Sequence, residues 1–505
     1  MRRTSPNILW LMSDQHHAGC LGVAGHPDVR TPHLDRLAQE GVRFTRAFCN
    51  SPICGPSRVS MITGQYVRTT GITGNALFEA DVPAPRTVAS HLRHAGYQTA
   101  LIGKAHMLRR WDIAGFEHRR YCDLCDADAD DPRTCHYFDY LVRHHLADDY
   151  DLGYLPPGHP GHGWAPFVSR IPYRHSVEHW TGDEALAFLQ HRDRGRPFFL
   201  QLSFQRPHNP LSPSPEHANL YEPNALALPA SRVDLFDRRF MGKPAFQRRH
   251  IHSNLGTGYP YVPCDENDLR RNLSHYLALV TVIDEQIGRV LDQLRQTGEL
   301  DNTVVLYTAD HGDFAGDHGL MLKNLGIYES IHRVPLLLRY PGGPRGVTRE
   351  GLVELVDLYP TFCDLADLPT PGGVEGRSLR PVAEGHDSGK DVAFCEWDFT
   401  SHPEQRRVAA IRDVRFRMVV YEDAPDDGEL YDHQADPDEL VNLWSDPHRA
   451  DVRRRLSTAL VEHRGQQARR WGLEEDRAEL ARTAGSLTAR IHRRGETWSQ
   501  ASRQG

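Results

Sequence analysis

Four short apolar runs, each ending abruptly in polar residues, constrain the fold of this chain more than any other feature. The runs are Asn7 to Gln15, Gln98 to His106, Pro197 to Pro210 and Asn302 to Asp313. Short runs of this kind are typical of parallel strands that are buried on both faces. Helical patterns lie between them, at His33 to Val42, Thr87 to Gly96 and Tyr276 to Gly298. The alternation predicts an α/β fold, a largely parallel sheet with helices on both faces.

A smaller second domain is expected near the C-terminus. The chain has 505 residues, which is more than one simple core usually holds. Leu368 to Pro381 is rich in Pro and Gly, as linkers are. Short strand patterns follow and predict a small antiparallel sheet, then a helix from Asp451 to Gly465 and an Arg-rich tail. We therefore predict a large domain over residues 1–380 and an α+β subdomain over residues 381–505.

Composition excludes several classes of partner. The formal net charge of -8 argues against nucleic acid, and no apolar run is long enough to span a membrane. The N-terminal segment does not have the pattern of a secretory signal, so we expect a cytoplasmic protein with free thiols. Cys122, Cys125 and Cys135 have a spacing that could hold zinc, but an irregular loop with incidental thiols explains them better.

The carboxyl ends of the four strands are expected at one edge of the sheet, where such folds bind their ligands. Six polar residues fall at that edge, namely Asp14, Lys104, His106, His208, Asp310 and His311. Two carboxylates and an imidazole, with the amide of Gln15 beside Asp14, suit Ca²⁺, Mn²⁺ or Mg²⁺ better than a structural zinc. His106 and His208 are placed to act as acid or base.

The segment Cys54 to Arg58 places a sulfur nucleophile, a helix-starting proline and an arginine within one turn. Val59 to Tyr66 is predicted to be helical, and Pro56 suits a first turn because its missing N–H would have no partner there. Cys54 is therefore expected just ahead of a helix N-terminus, which favours anions. A cysteine in such a place is rarely inert.

Lysine is rare in this chain, which has four lysines among 59 Lys and Arg residues. Surface cations are therefore arginines, and a retained lysine indicates a need for a compact charge with a tunable pKa. Lys104 lies at a strand end, and Lys323 follows Asp310 and His311 within one loop. We predict that both lysines belong to the site.

Together these residues resemble the sulfatase family of the alkaline phosphatase superfamily. The resemblance is carried by Cys54, Pro56, Ser57 and Arg58 with Thr63-Gly64, and by Thr31 to Leu37, Gly103-Lys104, Pro207-His208, Asp310 to Asp313 and Glu429 to Asp432. It covers nearly the whole chain and implies an alkaline-phosphatase-like fold with residues 1–380 as the catalytic domain. It further implies a hydrolase of sulfuric esters in which Cys54 is oxidised to formylglycine.

The resemblance also implies a role for each site residue. One divalent cation, Ca²⁺ before Mn²⁺ or Mg²⁺, would be held by Asp14, Gln15, residue 54, Asp310 and His311. A hydroxyl of hydrated formylglycine 54 would attack sulfur, and His106 would deprotonate the second hydroxyl so that sulfate leaves. Lys104 and Lys323 would hold the sulfuryl oxygens, His208 with Lys323 would assist the departing alkoxide, Arg58 would steady the hydrate and Asn75 would bind substrate.

Two departures from the family pattern keep other functions open. Many sulfatases have a second Asp where this chain has Gln15, and an Asn where it has His311. The Gln and His variants are similar to those of choline sulfatases and phosphonate monoester hydrolases. A phosphonate monoester or phosphodiester hydrolase using the same site is therefore an alternative, and a non-catalytic metal-binding scaffold with an unmodified Cys54 is a second one.

The implied partners are few. They are a small-molecule or saccharide sulfate ester and a formylglycine-generating enzyme during maturation, without nucleic acid or membrane. The Arg-rich tail is a candidate surface for packing against a second copy of the chain in a homo-oligomer.

Overall fold

An eight-stranded, largely parallel sheet forms the centre of the fold in this computed structural model. The structure describes residues 5–75, 86–106, 115–123, 135–151, 166–255, 262–323, 325–399, 406–422 and 424–471. Across the sheet the strands are β10 (Val347–Arg349), β2 (Val42–Phe44), β9 (Leu336–Arg339), β7 (Thr303–Ala309), β1 (Asn7–Asp14), β6 (Phe198–Pro207), β4 (Gln98–Gly103) and β5 (His118–Tyr121). β9 runs antiparallel to both its neighbours, and the other pairs are parallel.

Helices cover both faces of this sheet. The described α-helices before residue 447 are α1 (Pro32–Glu40), α2 (Cys54–Thr63), α3 (Val67–Thr70), α4 (Val88–His94), α5 (His136–Arg143), α6 (Val177–His191), α7 (Val233–Phe236), α8 (Ala245–Asn254), α9 (Glu266–Gln296), α10 (Glu329–His332), α11 (Leu358–Leu365) and α12 (Arg380–Glu384), of which α1, α4, α6, α9 and α11 contribute to the cores on the two faces of the sheet. Alternate residues of β1 enter two different cores. Trp10 packs with residues of α4 and α11, whereas Leu9 packs with residues of α1, α6 and α9. Burial on both faces explains why the strand is apolar throughout.

Two smaller sheets complete the strands of the described ranges. One contains β11 (Val353–Glu354), β3 (Ala47–Phe48) and β8 (Arg333–Val334). The other is antiparallel and contains β12 (Ala393–Phe399), β13 (Arg406–Arg412), β14 (Phe416–Tyr421) and β15 (Glu429–Asp432). The predicted fold class, including the antiparallel sheet, is confirmed.

The chain divides into two compact units, Met1–Pro447 and His448–Gly505. The four-stranded sheet lies in the first unit, and the described part of the second is helix α13 (Ala450–Trp471). The boundary between residues 380 and 381 stays a prediction, as does the cytoplasmic location. None of the described helices is both long and apolar enough to cross a membrane. The Arg-rich tail beyond residue 471 lies outside the described residues.

Helix α2 begins earlier than the sequence predicts. Cys54 is its first residue rather than the residue ahead of it, and Ile53 is the N-cap. The helix ends at Thr63 because Gly64 adopts a left-handed φ of 66°, which glycine accepts without strain. The predicted extension to Tyr66 is therefore wrong.

Candidate active site

The side chain of Cys54 lies at the centre of a buried cluster of charged groups. Its Sγ is 3.1 Å from Nε2 of His311, 3.1 Å from Nζ of Lys323 and 3.6 Å from Oδ1 of Asp14. Because Cys54 is the first residue of α2, it lies where the helix backbone has unpaired N–H groups. Residues from β1, α2 and the loop after β7 therefore converge on one sulfur atom.

A candidate cation site is formed by the same side chains. Ligand atoms of Asp14, Cys54, Asp310 and His311 all lie within 4.8 Å of one another, and all four residues are buried. Nδ1 of His311 lies 2.8 Å from the carbonyl oxygen of Gly312, so this nitrogen donates and Nε2 keeps its lone pair for the cluster. No other such group of His, Cys, Asp and Glu occurs in the described part of the chain.

The contacts of Gln15 show whether a cation fits here. The backbone N–H of Gln15 donates to Oδ1 of Asp310 at 3.0 Å, and its side-chain Nε2 donates to Oδ2 of Asp313 at 2.7 Å. Oε1 is buried and has no hydrogen-bond partner among the described residues. A buried amide oxygen without a partner is costly unless something else binds it. Carboxylate, amide and imidazole ligands together fit a hard divalent cation.

Two further cations complete the charge of the cluster. Nζ of Lys104 contacts Oδ2 of Asp14 in a fully buried ion pair. Nε of Arg58 lies 2.7 Å from Oδ2 of Asp310, and Nη1 donates to the backbone oxygen of Lys104 at 3.1 Å and to Oγ of Ser203 at 2.9 Å. Arg58 therefore fixes an acid and a lysine relative to each other.

The electrostatics of the cluster favour negative charge at position 54. Burial raises the pKa of the Cys54 thiol, but the charges of Lys104 and Lys323 outweigh burial and hold that pKa well below its usual range. Burial and the charge of Cys54 raise the pKa of Asp14. The charges of Lys104 and His208 contribute to a larger opposite effect, so the pKa of Asp14 is lowered overall. A group that gains negative charge at position 54 during a reaction would be stabilised here.

His208 reaches the cluster from the end of β6. It hydrogen-bonds to Cys54, and its Nδ1 lies 2.7 Å from the backbone oxygen of Asn209. Burial lowers its pKa, and so does the charge of Lys323. The guanidinium of Arg206 donates to the backbone oxygen of His208 at 3.2 Å and fixes this loop.

His106 and Asn75 are placed by contacts beside the site rather than within the cluster around Cys54. The backbone N–H groups of Ala105 and His106 donate to the carboxylate of Asp123 at 2.9 Å and 3.2 Å. This anchor holds the two residues that follow Lys104, of which His106 has a left-handed φ of 40°. Oδ1 of Asn75 accepts from the backbone N–H of Gly55 at 3.1 Å, so it supports the first turn of α2. Its predicted contact with substrate stays a prediction.

Sequence reasoning missed several residues that support the site. Asp313 is buried and accepts a hydrogen bond from the side-chain amide of Gln15. It was not predicted as a site residue, although its place in the same motif as Asp310 and His311 was a signal for it. Asp123 lies in an acidic stretch without periodicity, so nothing in the sequence distinguished it from its neighbours. Glu178 of α6 pairs at 3.2 Å with Arg206 of β6, the strand that follows this helix, and no pattern in the sequence indicates this pair.

Cys122 and Cys135, two of the three cysteines considered for zinc, are core residues. Cys122 and Cys135 are buried in one cluster with Tyr137, Leu141 and Trp180. Cys125 lies outside the described residues, so zinc binding by the three cysteines stays an untested alternative.

Known proteins resemble this chain over nearly its whole length. A family model described as Sulfatase matches residues 6–368, and one described as N-sulphoglucosamine sulphohydrolase, C-terminal, matches residues 316–466. An N-acetylglucosamine-6-O-sulfatase of Bacteroides thetaiotaomicron is 28% identical over 519 residues, covering 90% of this chain and 86% of that protein. A choline-sulfatase of Rhizobium meliloti is 30% identical over 491 residues, covering 94% of this chain and 88% of that protein.

Solved structures agree with these matches. The phosphonate monoester hydrolase of Agrobacterium radiobacter has a TM-score of 0.75 at 25% identity. The match covers 92% of this chain and 96% of that one. The likeness therefore extends across both the main sheet and the C-terminal sheet.

Proposed function

The chain belongs to the sulfatase family and is a sulfatase, and from this premise we propose that it hydrolyses sulfate monoesters through a formylglycine at position 54 with one divalent cation. The observation that supports this most is the convergence of Lys323, His311 and Asp14 on Sγ of Cys54. A nucleophile in this position is close to the positive charges of Lys104 and Lys323, which are opposite to the charge of a sulfuryl group.

Asp14, Gln15, Asp310 and His311 would hold the cation together with residue 54. A bound divalent cation supplies Lewis-acid chemistry that lowers the energy of charge on sulfuryl oxygens. We propose Ca²⁺ for this site because most of the side-chain ligands are hard oxygen donors, with Mn²⁺ and Mg²⁺ as alternatives.

The proposed reaction has two steps. A hydroxyl of hydrated formylglycine 54, having lost its proton to solvent as the charges of Lys104 and Lys323 favour, would attack sulfur. The bond between sulfur and the ester oxygen would break, and His208 would give its proton to the departing alkoxide, which leaves as the alcohol. His106 then removes the proton of the second hydroxyl, the C=O bond of the aldehyde re-forms, and sulfate leaves with the oxygen that had attacked. Lys104 and Lys323 balance the charge of the sulfuryl oxygens in both steps, and water rehydrates the aldehyde.

The maturation of residue 54 is the first test. Trypsin should release residues 47–58 as one peptide, which contains Cys49 as well as Cys54. After coexpression with a formylglycine-generating enzyme and alkylation, we expect one alkylated cysteine, Cys49, and an aldehyde at residue 54. The Cys54→Ala variant should lose at least about 10³-fold in kcat, whereas Cys264→Ala, which removes an exposed thiol, should not. Full activity from protein with two alkylated cysteines in this peptide would contradict the mechanism.

A phosphonate monoester or phosphodiester hydrolase is the second candidate, supported by Gln15, His311 and the similar hydrolase structure. Gln15 is neutral where many sulfatases have an acid, so the site carries one negative charge less. The discriminating measurement is kcat/KM for an aryl sulfate against the matching aryl phosphonate monoester. Preference for the sulfate supports the first candidate. A strong preference for the phosphonate would replace it.

The alcohol part of the substrate follows from neither the cluster nor the family. Relatives are named for a sulfated saccharide and for choline sulfate, so both classes are proposed as candidates. A formylglycine-generating enzyme is the proposed maturation partner.

A further inference from the structure

Asp313 is a fully buried carboxylate that contacts both the candidate cation site and the loop that carries Lys323. Its Oδ2 accepts the side-chain N–H of Gln15 at 2.7 Å. Its Oδ1 accepts the backbone N–H groups of Ala315 and Leu322 at 2.6 Å and 2.9 Å. One oxygen of Asp313 therefore binds Gln15, and the other binds the backbone of the loop.

These contacts determine which end of the Gln15 amide is available to a cation. An ionised carboxylate can only accept hydrogen bonds, so Asp313 binds the NH₂ end of the amide. The flipped amide would place Oε1 against a carboxylate oxygen and leave NH₂ for the cation, and both contacts are repulsive. In the observed orientation Oε1 is buried without a hydrogen-bond partner among the described residues. The backbone N–H of Gln15 also donates to Asp310, so Gln15 is held from two sides.

We propose that Asp313 is a positioning residue that makes Gln15 a cation ligand by fixing its amide orientation. The proposal rests on the cation site of the proposed function. It explains how a neutral amide can replace a carboxylate ligand, because the amide is committed to presenting oxygen. Groups that orient a ligand from behind typically change metal affinity by about 10- to 100-fold when they are lost.

Exchanging the acid and the amide tests this orientation. In Asp313→Asn the backbone N–H groups of Ala315 and Leu322 still require an oxygen at Oδ1, so the new NH₂ faces Gln15 and forces its amide to flip. Gln15→Glu alone sets two carboxylates against each other. In the double variant the carboxylate at position 15 accepts from the amide at position 313 and keeps an oxygen for the cation. We therefore expect each single variant to bind Ca²⁺ about 10- to 100-fold more weakly, and the double variant to regain wild-type affinity.

Calorimetric titration of Ca²⁺ into the metal-free full chain, at mildly alkaline pH, gives the affinities without relying on activity. Asp317→Asn is the matched control, since this acid of the same loop binds His17 and Ser231 instead. It should bind Ca²⁺ like the wild type.

Three results would separate the proposals. Wild-type affinity in Asp313→Asn overturns the positioning role, as does a folded double variant that binds no better than Gln15→Glu. If Asp313→Asn does not fold, the comparison between Gln15→Glu and the double variant still decides. If the wild type binds none of Ca²⁺, Mn²⁺ and Mg²⁺, the cation site of the proposed function fails instead.

Discussion

Arg206 shows how one buried residue can set the position of another residue of the candidate site, His208. Its guanidinium contacts the backbone oxygens of His208 and Pro210, donates to Oγ of Ser212 at 2.7 Å and pairs with Glu178 at 3.2 Å. A planar fork with five donors can make all these bonds at once, and an ammonium group cannot. Arg206 therefore holds the loop of His208 through geometry as much as through charge.

We predict that Arg206→Lys impairs proton transfer from His208 to the oxygen of the leaving group. Displacement of a general acid costs about 10²-fold or more, but only when the leaving group needs a proton. The loss in kcat should therefore be large for esters of weakly acidic alcohols and small for 4-nitrophenyl sulfate. Rates for a series of aryl sulfates measure this dependence as the slope against leaving-group pKa.

Arg192→Lys is the matched control, because Arg192 is also buried but pairs with Glu299 near the start of β6, at the other end of that strand from His208. It should lower stability without changing the slope. An equal loss for all leaving groups in Arg206→Lys would show that the residue is only structural.

Residues at strand ends are easier to predict from sequence than the residues that support them. Asp14, Lys104 and Asp310 are predicted to lie together because each comes at the end of an apolar strand, and the structure brings their side chains into one cluster with Arg58. Asp123 and Glu178 have no such signal. Asp123 binds backbone N–H groups, and Glu178 pairs with an arginine 28 residues further along the chain, so neither contact follows from a strand-end pattern.

At the scale of elements, a buried ion network joins the antiparallel sheet to the segment that leads into β8. Arg417 of β14 pairs with Glu439 at 2.5 Å and contacts Glu329, the first residue of α10. Its Nη1 lies 3.0 Å from Nδ1 of His332 at the end of the same helix. Burial raises the pKa of both acids, but the charge of Arg417 outweighs burial and lowers them.

Arg417→Met should lower the free energy of unfolding by about 3–5 kcal/mol, because it removes the cation that lowers the pKa of both buried carboxylates most. The pKa of each glutamate is lowered by folding, so the stabilisation is complete above their unfolded pKa of 4.5 and is lost as the pH falls further. The difference in the free energy of unfolding between wild type and Arg417→Met should therefore become smaller as the pH is lowered. Urea unfolding at neutral and acidic pH measures both effects.

Arg36→Met is the control, since Arg36 is half exposed and pairs with Glu40 on the same helix at 2.7 Å. Its cost should be below about 1 kcal/mol at either pH. Equal costs for the two variants would mean that the network of Arg417 is energetically no different from a surface pair.

The elements that the sequence predicted least well are those without apolar periodicity. β5 was not predicted, because all four of its residues are only partly buried and three of them are polar. α9 begins at Glu266, whereas the sequence predicts a start at Tyr276. The first turns were not predicted because they are rich in charged residues and show no apolar periodicity. The signal for that start is Asp265, whose side chain accepts the backbone N–H of Asp268 at 2.8 Å.

At the scale of the whole molecule, the division between lysine and arginine is one-sided, because lysines occupy only largely buried positions whereas arginines occur at both buried and exposed positions. All four lysines lie in described residues, and each has an internal partner. Lys104 and Lys323 belong to the site, Lys243 lies 3.4 Å from Asp234, and Lys390 lies 2.7 Å from both Glu354 and Asp357. Their side chains are at most 14% exposed in these pairs, whereas arginines such as Arg271 are 61% exposed. The lysines are therefore retained at internal positions, including two outside the site.

This division predicts an unusual response to reagents that acylate amines. In the folded protein every lysine side chain is buried and paired, so acetylation by an N-hydroxysuccinimide ester should require local opening and be slow. Lys390, the most exposed of the four, should react first, and sulfate should further protect Lys104 and Lys323 if the product binds between them.

In urea all four lysines should react together at the rate of free Nα-acetyl-lysine, added as an internal standard. Mass spectrometry of the peptides gives each rate. Rapid acetylation of Lys104 or Lys243 in the folded protein would show that these amines are accessible, which contradicts a role for lysine as an internal cation.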